Sequence, residues 1–183
     1  RVYPAILIGA FIVNVTTAGS IITSLAIAVG NTLEALVGGY LVNRFANGKL
    51  AFHRVGDIFK FTIFATGLST MVSATIGVTT LVFAGLASWS EFGEVWFTWW
   101  LGDAGGNSVI APFVLTWALG ENIAWTPRRI SEFIGSFSLL IISGVLVFTG
   151  GLPYPYLTIP SLVWIAFRLS QREAATGVFL LTV

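Results

Sequence analysis

Trp96-Phe97-Thr98-Trp99-Trp100-Leu101-Gly102-Asp103-Ala104-Gly105-Gly106-Asn107, continuing through Ser108, Val109, Ile110 and Ala111 to Pro112, sets one carboxylate and one amide inside an apolar run that opens with tryptophans. No basic residue lies within it. An ionisable side chain at membrane depth costs roughly 3 to above 10 kcal/mol, so Asp103 requires a partner, a cavity or a proton. The reading of the rest of the chain turns on whether this run lies in a bilayer and on what surrounds Asp103.

Composition answers the first question. Hydrophobic residues make up 56% of the chain and charged residues 9%, with a mean hydropathy of +0.89; soluble domains carry about 25% charged residues. Several apolar runs reach the roughly 20 residues that cross a hydrocarbon core. The 183 residues therefore read as one integral membrane domain over residues 1–183, an all-α polytopic transmembrane bundle. The chain opens at Arg1 rather than Met and Val183 closes it inside an apolar run, so a fragment truncated at both ends is expected, with no signal peptide. Cysteine is absent and His53 is the single histidine, which leaves no thiolate or multi-histidine metal site; no metal or cofactor is expected.

About seven helices are predicted, over residues 3–15, 21–45, 57–85, 94–119, 131–149, 156–169 and 174–183, the first of them shorter than a full span. The fourth carries the opening stretch and is expected to bend near Pro112, where a backbone donor is missing. If these helices alternate in direction, all nine basic residues fall on one side: Arg1, Arg44, Lys49, Arg54, Lys60, Arg128, Arg129, Arg168 and Arg172. The turns around Thr17, Glu91 and Pro153 carry none, so the basic loops are expected in the cytoplasm. Arg128 and Arg129 read as topology anchors touching anionic lipid, not nucleic acid.

A second carboxylate, Glu34, lies about 13 residues into its helix, roughly 20 Å along the axis, and Asp103 lies about nine residues into its own, roughly 14 Å. Their depths are similar, in the middle to outer half, and every basic residue is expected at the cytoplasmic ends of the helices. Gly30, Glu34 and Gly38 share one helical face with Asn31 beside them, and Gly102 and Gly106 form a GxxxG spacing, so close helix approach is expected at both carboxylates. Trp96, Trp99, Trp100, Asp103 and Asn107 recur at helical spacing as an aromatic wall leading inward. The expected site is an outward-opening ligand pocket lined by Asn31, Glu34, Trp99, Trp100, Asp103 and Asn107. The competing reading makes both acids protonated or amide-paired packing residues and the tryptophans an interfacial belt. Thr62, Thr66, Ser69, Thr70 and Ser73 form a hydroxyl stripe assigned to helix packing, and Glu91 and Glu94 to a solvated loop. No catalytic constellation assembles, because His53 lies far from the acids.

Four motifs carry a family resemblance. Tyr3-Pro4-Ala5-Ile6-Leu7-Ile8-Gly9-Ala10-Phe11-Ile12-Val13-Asn14, Gly30-Asn31-Thr32-Leu33-Glu34-Ala35 with Arg44, Ser73-Ala74-Thr75-Ile76-Gly77, and Trp99-Trp100-Leu101-Gly102-Asp103 with Gly106 and Pro112 occur in this order. The chain resembles the membrane-associated sensor domain of the MASE type, first family, over nearly its whole length. The resemblance implies a non-catalytic input module of the bacterial inner membrane, fused to a cytoplasmic histidine kinase, diguanylate cyclase or related output domain. It implies that Asn31, Glu34, Gly102, Asp103 and Pro112 match the family pattern; Gly105 and Asn107 depart from it, so Asn107 rests on spacing alone. A homodimer is expected by analogy with kinases and cyclases. The partners expected are thus membrane lipid, an unidentified small-molecule ligand and the covalently attached output domain. The alternative is a transporter or substrate-binding permease subunit, against which the lack of visible inverted repeats counts.

Overall fold

The computed structural model describes residues 2–18, 20–120, 123–151 and 153–182. Among them all regular structure is helical: α1 (Tyr3–Ala18), α2 (Ile21–Phe45), α3 (Val55–Phe83), α4 (Phe92–Leu119), α5 (Pro127–Phe148), α6 (Ile159–Arg168) and α7 (Gln171–Thr182). Short 3-10 turns, Gly48–Leu50 and Pro155–Thr158, complete the set. The all-α fold class is as expected.

Helix boundaries follow local chemistry. Ser20 caps α2, its hydroxyl accepting from the Thr23 N–H at 3.4 Å, which satisfies a donor the helix leaves open. α3 ends where Gly85 takes φ +71°, letting the Leu86 N–H turn back to the Leu81 carbonyl at 2.9 Å. Several boundaries shift from the sequence reading by up to four residues, most at the start of α5. α5 starts at Pro127, not at residue 131, because Thr126 accepts from the Arg129 N–H at 3.3 Å and proline suits the first helical position. Arg128 and Arg129 are consequently first-turn helical residues, not loop residues.

Among the described residues three helices are long and apolar enough to cross a membrane: α2, α3 and α5. α4 has 28 residues but is not in that group; Asp103 and Asn107 stand in the middle of its apolar run. α6 and α7, with 10 and 12 residues, are shorter than the roughly 20 a full crossing takes. The exterior is apolar, with Ile22 and Phe167 each 83% exposed, as a lipid-facing surface requires.

The chain forms two compact units, Arg1–Ser108 and Val109–Val183. They part within α4, at the residue whose carbonyl loses its helical donor because Pro112 has no N–H. In the first unit α1 packs on α2 and α2 on α3. Glycine is required at that second contact: a Cβ on Gly30 would stand 3.0 Å from Ile76 Cγ2, and one on Gly38 would stand 2.8 Å from Ser69 Oγ. The hydroxyl stripe of α3 serves this packing largely as expected, since Ser69 and Thr70 donate to the carbonyls one turn back at 2.6 Å and are buried. The middle of α3, Thr62–Ser69, is a π-helical stretch.

The second unit is built on Phe137, Leu140 and Ile165, with Phe133, Leu162 and Leu181 against them. Gly177 lets α7 approach: a Cβ there would meet Ile165, Leu140 and Leu162 at 3.3 Å. Phe113 stacks on Phe179 at 4.4 Å, Trp117 donates to Thr176 Oγ1 at 2.9 Å, and the Arg172 guanidinium lies 4.6 Å over the Trp117 ring.

Candidate functional site

Within the first unit the N-terminal part of α4 runs along α3, and large side chains, not small ones, make the contact. Trp96 donates its indole N–H to Thr75 Oγ1 at 3.0 Å. Trp99 covers Gly77, where a Cβ would come within 2.7 Å of its ring. Trp100 donates to the Gly67 carbonyl at 2.9 Å and stacks on Trp96, ring centroids 6.2 Å apart and nearly parallel. Each of these half-buried indoles packs its apolar body against α3, and Trp96 and Trp100 also find an acceptor for the N–H.

This corrects the expectation drawn from glycine spacing. Gly102, Gly105 and Gly106 are exposed, and a Cβ on any of them would meet nothing within 4 Å. The GxxxG face of α4 is not the contact with α2, and Gly30 and Gly38 serve the approach of α3 instead. The helical repeat put Gly102 and Gly106 on one face correctly. Which face meets a neighbour was decided by the indoles, whose bulk and donors pair with α3.

One and two turns beyond the tryptophans come the polar residues. Ser73 donates to Asp103 Oδ2 at 2.5 Å, with the Thr70 carbonyl 3.2 Å away as a second acceptor. Asn107 donates to Glu34 Oε1 at 3.1 Å and to the Ala65 carbonyl at 3.4 Å. Ser73, Asp103 and Asn107 are the polar neighbours of Glu34, and Trp99 lies beside Asp103. Three helices thus bring two carboxyls, an amide and a hydroxyl into one cluster: α2 through Glu34, α3 through Ser73 and the Ala65 carbonyl, α4 through Asp103 and Asn107. The π-helical stretch contributes here. Its wider turn loosens the regular carbonyl pairing, and Ala65 and Gly67, both inside it, are the residues whose carbonyls accept from α4.

Among the described residues, neither carboxyl has a cationic partner. The four ion pairs are Lys60–Asp57, Arg128–Glu132, Arg129–Glu173 and Arg168–Glu132. No group of three or more metal-ligating side chains occurs among those residues either. A hydrogen-bonded, charge-unbalanced pair of carboxyls of this kind can take up a proton, a cation or a hydroxyl-bearing group.

Of the residues anticipated, Glu34, Asp103 and Asn107 join the cluster, Trp99 walls it, and Trp100 braces the adjoining turn. Asn31 is half-buried one turn from Glu34 and makes no side-chain hydrogen bond among the described residues. Ser73 was missed. Its place in the stripe assigned it to packing, while its presence in the motif Ser73-Ala74-Thr75-Ile76-Gly77 was the available signal. A recess of about 400 Å³ lies beyond Trp99, lined by Glu91, Glu94, Val95, Thr98 and Trp99. Glu91 accepts from the Ser88 hydroxyl at 2.7 Å and the Ser88 N–H at 3.1 Å, bonds that hold its carboxyl below the usual range.

A family model, MASE1, matches residues 1–183, the whole chain. The chain belongs to the MASE1 family. MASE1 domains are membrane-associated sensory domains and are not themselves catalytic, and the apolar helices agree with the membrane association. No curated protein and no solved structure matches this MASE1 chain.

Proposed function

We propose that this MASE1 domain is the input module of a multi-pass bacterial inner-membrane signalling protein, of histidine kinase or diguanylate cyclase type, with its basic loops cytoplasmic. Its stimulus acts on the Glu34–Asn107 and Ser73–Asp103 hydrogen bonds. The observation that carries the reading is that α2, α3 and α4 are joined by two carboxyls that no cation among the described residues neutralises. A structural cross-link needs no such charge imbalance.

The mechanism follows from that imbalance. A proton, a cation or a hydroxyl-bearing ligand entering past Trp99 competes for the carboxyl oxygens and loosens one bridge or tightens the other. Only a stimulus with different affinities for the two arrangements shifts their populations. α4 is the natural transmitter. It carries Asp103 and Asn107 in its first part and Phe113 and Trp117 in its last, and the latter two hold α7. The output domain follows α7 and acts as a homodimer.

The experiment is to place Glu34→Gln and Asp103→Asn in the parent protein and measure basal kinase or cyclase output. A change of about threefold or more is expected, since removing one charged hydrogen-bond acceptor biases a two-state equilibrium by about 1 kcal/mol. Output identical to wild type in both variants and in the double variant would overturn the proposal. Coupled solute flux into proteoliposomes would instead favour transport.

A further inference from the structure

The second unit contains a recess of about 400 Å³ that the sensory reading does not use, lined by Thr126, Arg128, Arg129, Glu132, Phe167 and Arg168. Two helices build it: the first turns of α5 supply Thr126 to Glu132, and the end of α6 supplies Phe167 and Arg168. The arginines are held in place. Glu132 accepts from Arg128 Nε at 3.3 Å and from an Arg168 amino group, and Arg129 Nη2 donates to Glu173 at 3.1 Å.

What the carboxylates leave over defines the chemistry. A guanidinium has five N–H donors in a fixed plane, and these bonds use one on each arginine. Arg129 Nε is buried with no acceptor among the described residues. Three guanidiniums against two carboxylates also leave the recess net positive, at a helix N-terminus whose dipole adds to the field. Several oxygens on one small anion would satisfy such an array. Beside it Phe167 is 83% exposed and Trp125 50% exposed, an apolar rim of the kind found at the bilayer interface.

We propose that this recess is a phosphate-anion site, read by the arginine forks of Arg128, Arg129 and Arg168. Phosphate is the group whose tetrahedral oxygens match several guanidinium forks at once. It can be presented by an anionic phospholipid headgroup or as a free ion. The site is separate from the carboxyl cluster and does not depend on it.

The test uses the purified full chain in bilayer nanodiscs of phosphatidylcholine, with and without phosphatidylglycerol, and reads co-purifying lipid and thermal midpoint. The variants are Arg128→Gln/Arg168→Gln and, keeping the charge while removing the forks, Arg128→Lys/Arg168→Lys. Arg128 and Arg168 are 79% and 47% exposed, so both variants are expected to fold. Wild type is expected to retain phosphatidylglycerol about tenfold over phosphatidylcholine, and the glutamine variant to lose that preference. The lysine variant is expected to lose most of it. Inorganic phosphate titrated into both kinds of disc separates the sources: a raised midpoint in phosphatidylcholine discs assigns a free anion, and phosphatidylglycerol retention unaffected by phosphate in the mixed discs assigns a headgroup. Full retention by the lysine variant, or an equal loss in Lys49→Gln/Arg54→Gln, would mean generic surface charge and overturn the site. So would wild type that responds neither to phosphatidylglycerol nor to phosphate.

Discussion

Glu34 and Asp103 in the first unit, and Glu132 and Glu173 in the second, are four carboxyls handled in two ways. Glu173 is buried, with its side chain 6% exposed, and is held by Arg129, the Ser170 N–H and the Ser170 hydroxyl. Glu132 takes two arginines. Glu34 and Asp103, by contrast, have an amide and a hydroxyl. The first arrangement is built to stay ionised and fixed. The second leaves its carboxyls with neutral hydrogen-bond partners and, among the described residues, no countercharge. Position explains the difference: arginine sits at the basic ends of α5 and α6, while α2 and α4 carry no cation at the level of their carboxyls.

The severest way to break this contrast is Arg129→Ala. It strands the buried Glu173 charge and is expected to cost about 3–5 kcal/mol, read from unfolding in mixed micelles. The double variant Arg129→Met/Glu173→Leu is expected to recover most of that loss, because the penalty comes from the charge left behind. Recovery of nothing would mean that Arg129 matters for packing and not for Glu173.

Ser73→Ala removes one hydroxyl bridge and is expected to cost about 0.6 kcal/mol, with ~1.7 as an upper figure for side-chain hydrogen bonds among membrane helices. Asp103→Asn is expected to cost less still. Its amide can donate to Ser73 Oγ while Ser73 donates to the Thr70 carbonyl, so the bridge survives with its direction reversed. If Asp103→Asn destabilises as much as Arg129→Ala, Asp103 is a fixed charge like Glu173 and the contrast collapses.

The smallest effect belongs to Glu91, outside the helices. Its folded pKa is depressed, so the Ser88 bonds contribute above the unfolded carboxyl range and are lost as pH falls through the folded value. Ser88→Ala is expected to raise the Glu91 titration midpoint toward the ordinary carboxyl value in an NMR titration, since it removes the hydroxyl bond. The gap between wild type and variant opens above the folded pKa and closes below it. An unchanged midpoint would show that the hydroxyl contributes nothing.

Much of the fold could be read before the structure, and particular residues show where reading stopped. Ser20 and Gly85 are a helix start and a helix stop that local chemistry dictates, and α2 and α4 end where their apolar runs end. Thr126-Pro127 was an equally local signal, passed over because Arg128 and Arg129 looked like loop residues. The π-helical stretch left no signal, since its residues suit an α-helix equally well. Glu34, Asp103 and Asn107 could be assigned to one site in advance, the acids because charge at membrane depth is costly anywhere and Asn107 by helical spacing, but Ser73 could not be distinguished from the hydroxyls around it.

What the sequence by itself determined is the all-α membrane class, the order and approximate extent of seven helices, and the family. The class and the helices follow from composition and period, which are local and additive along the chain, and the family from four motifs in their order. Only the tertiary structure decided that Gly30 and Gly38 face α3 while Gly102 and Gly106 face nothing, that Ser73 meets Asp103, and that Asn107 reaches Glu34. Such choices depend on the rotation of one helix against another, and here that rotation is set by Trp96, Trp99 and Trp100 seating on Thr75, Gly77 and the Gly67 carbonyl, contacts between residues far apart in sequence.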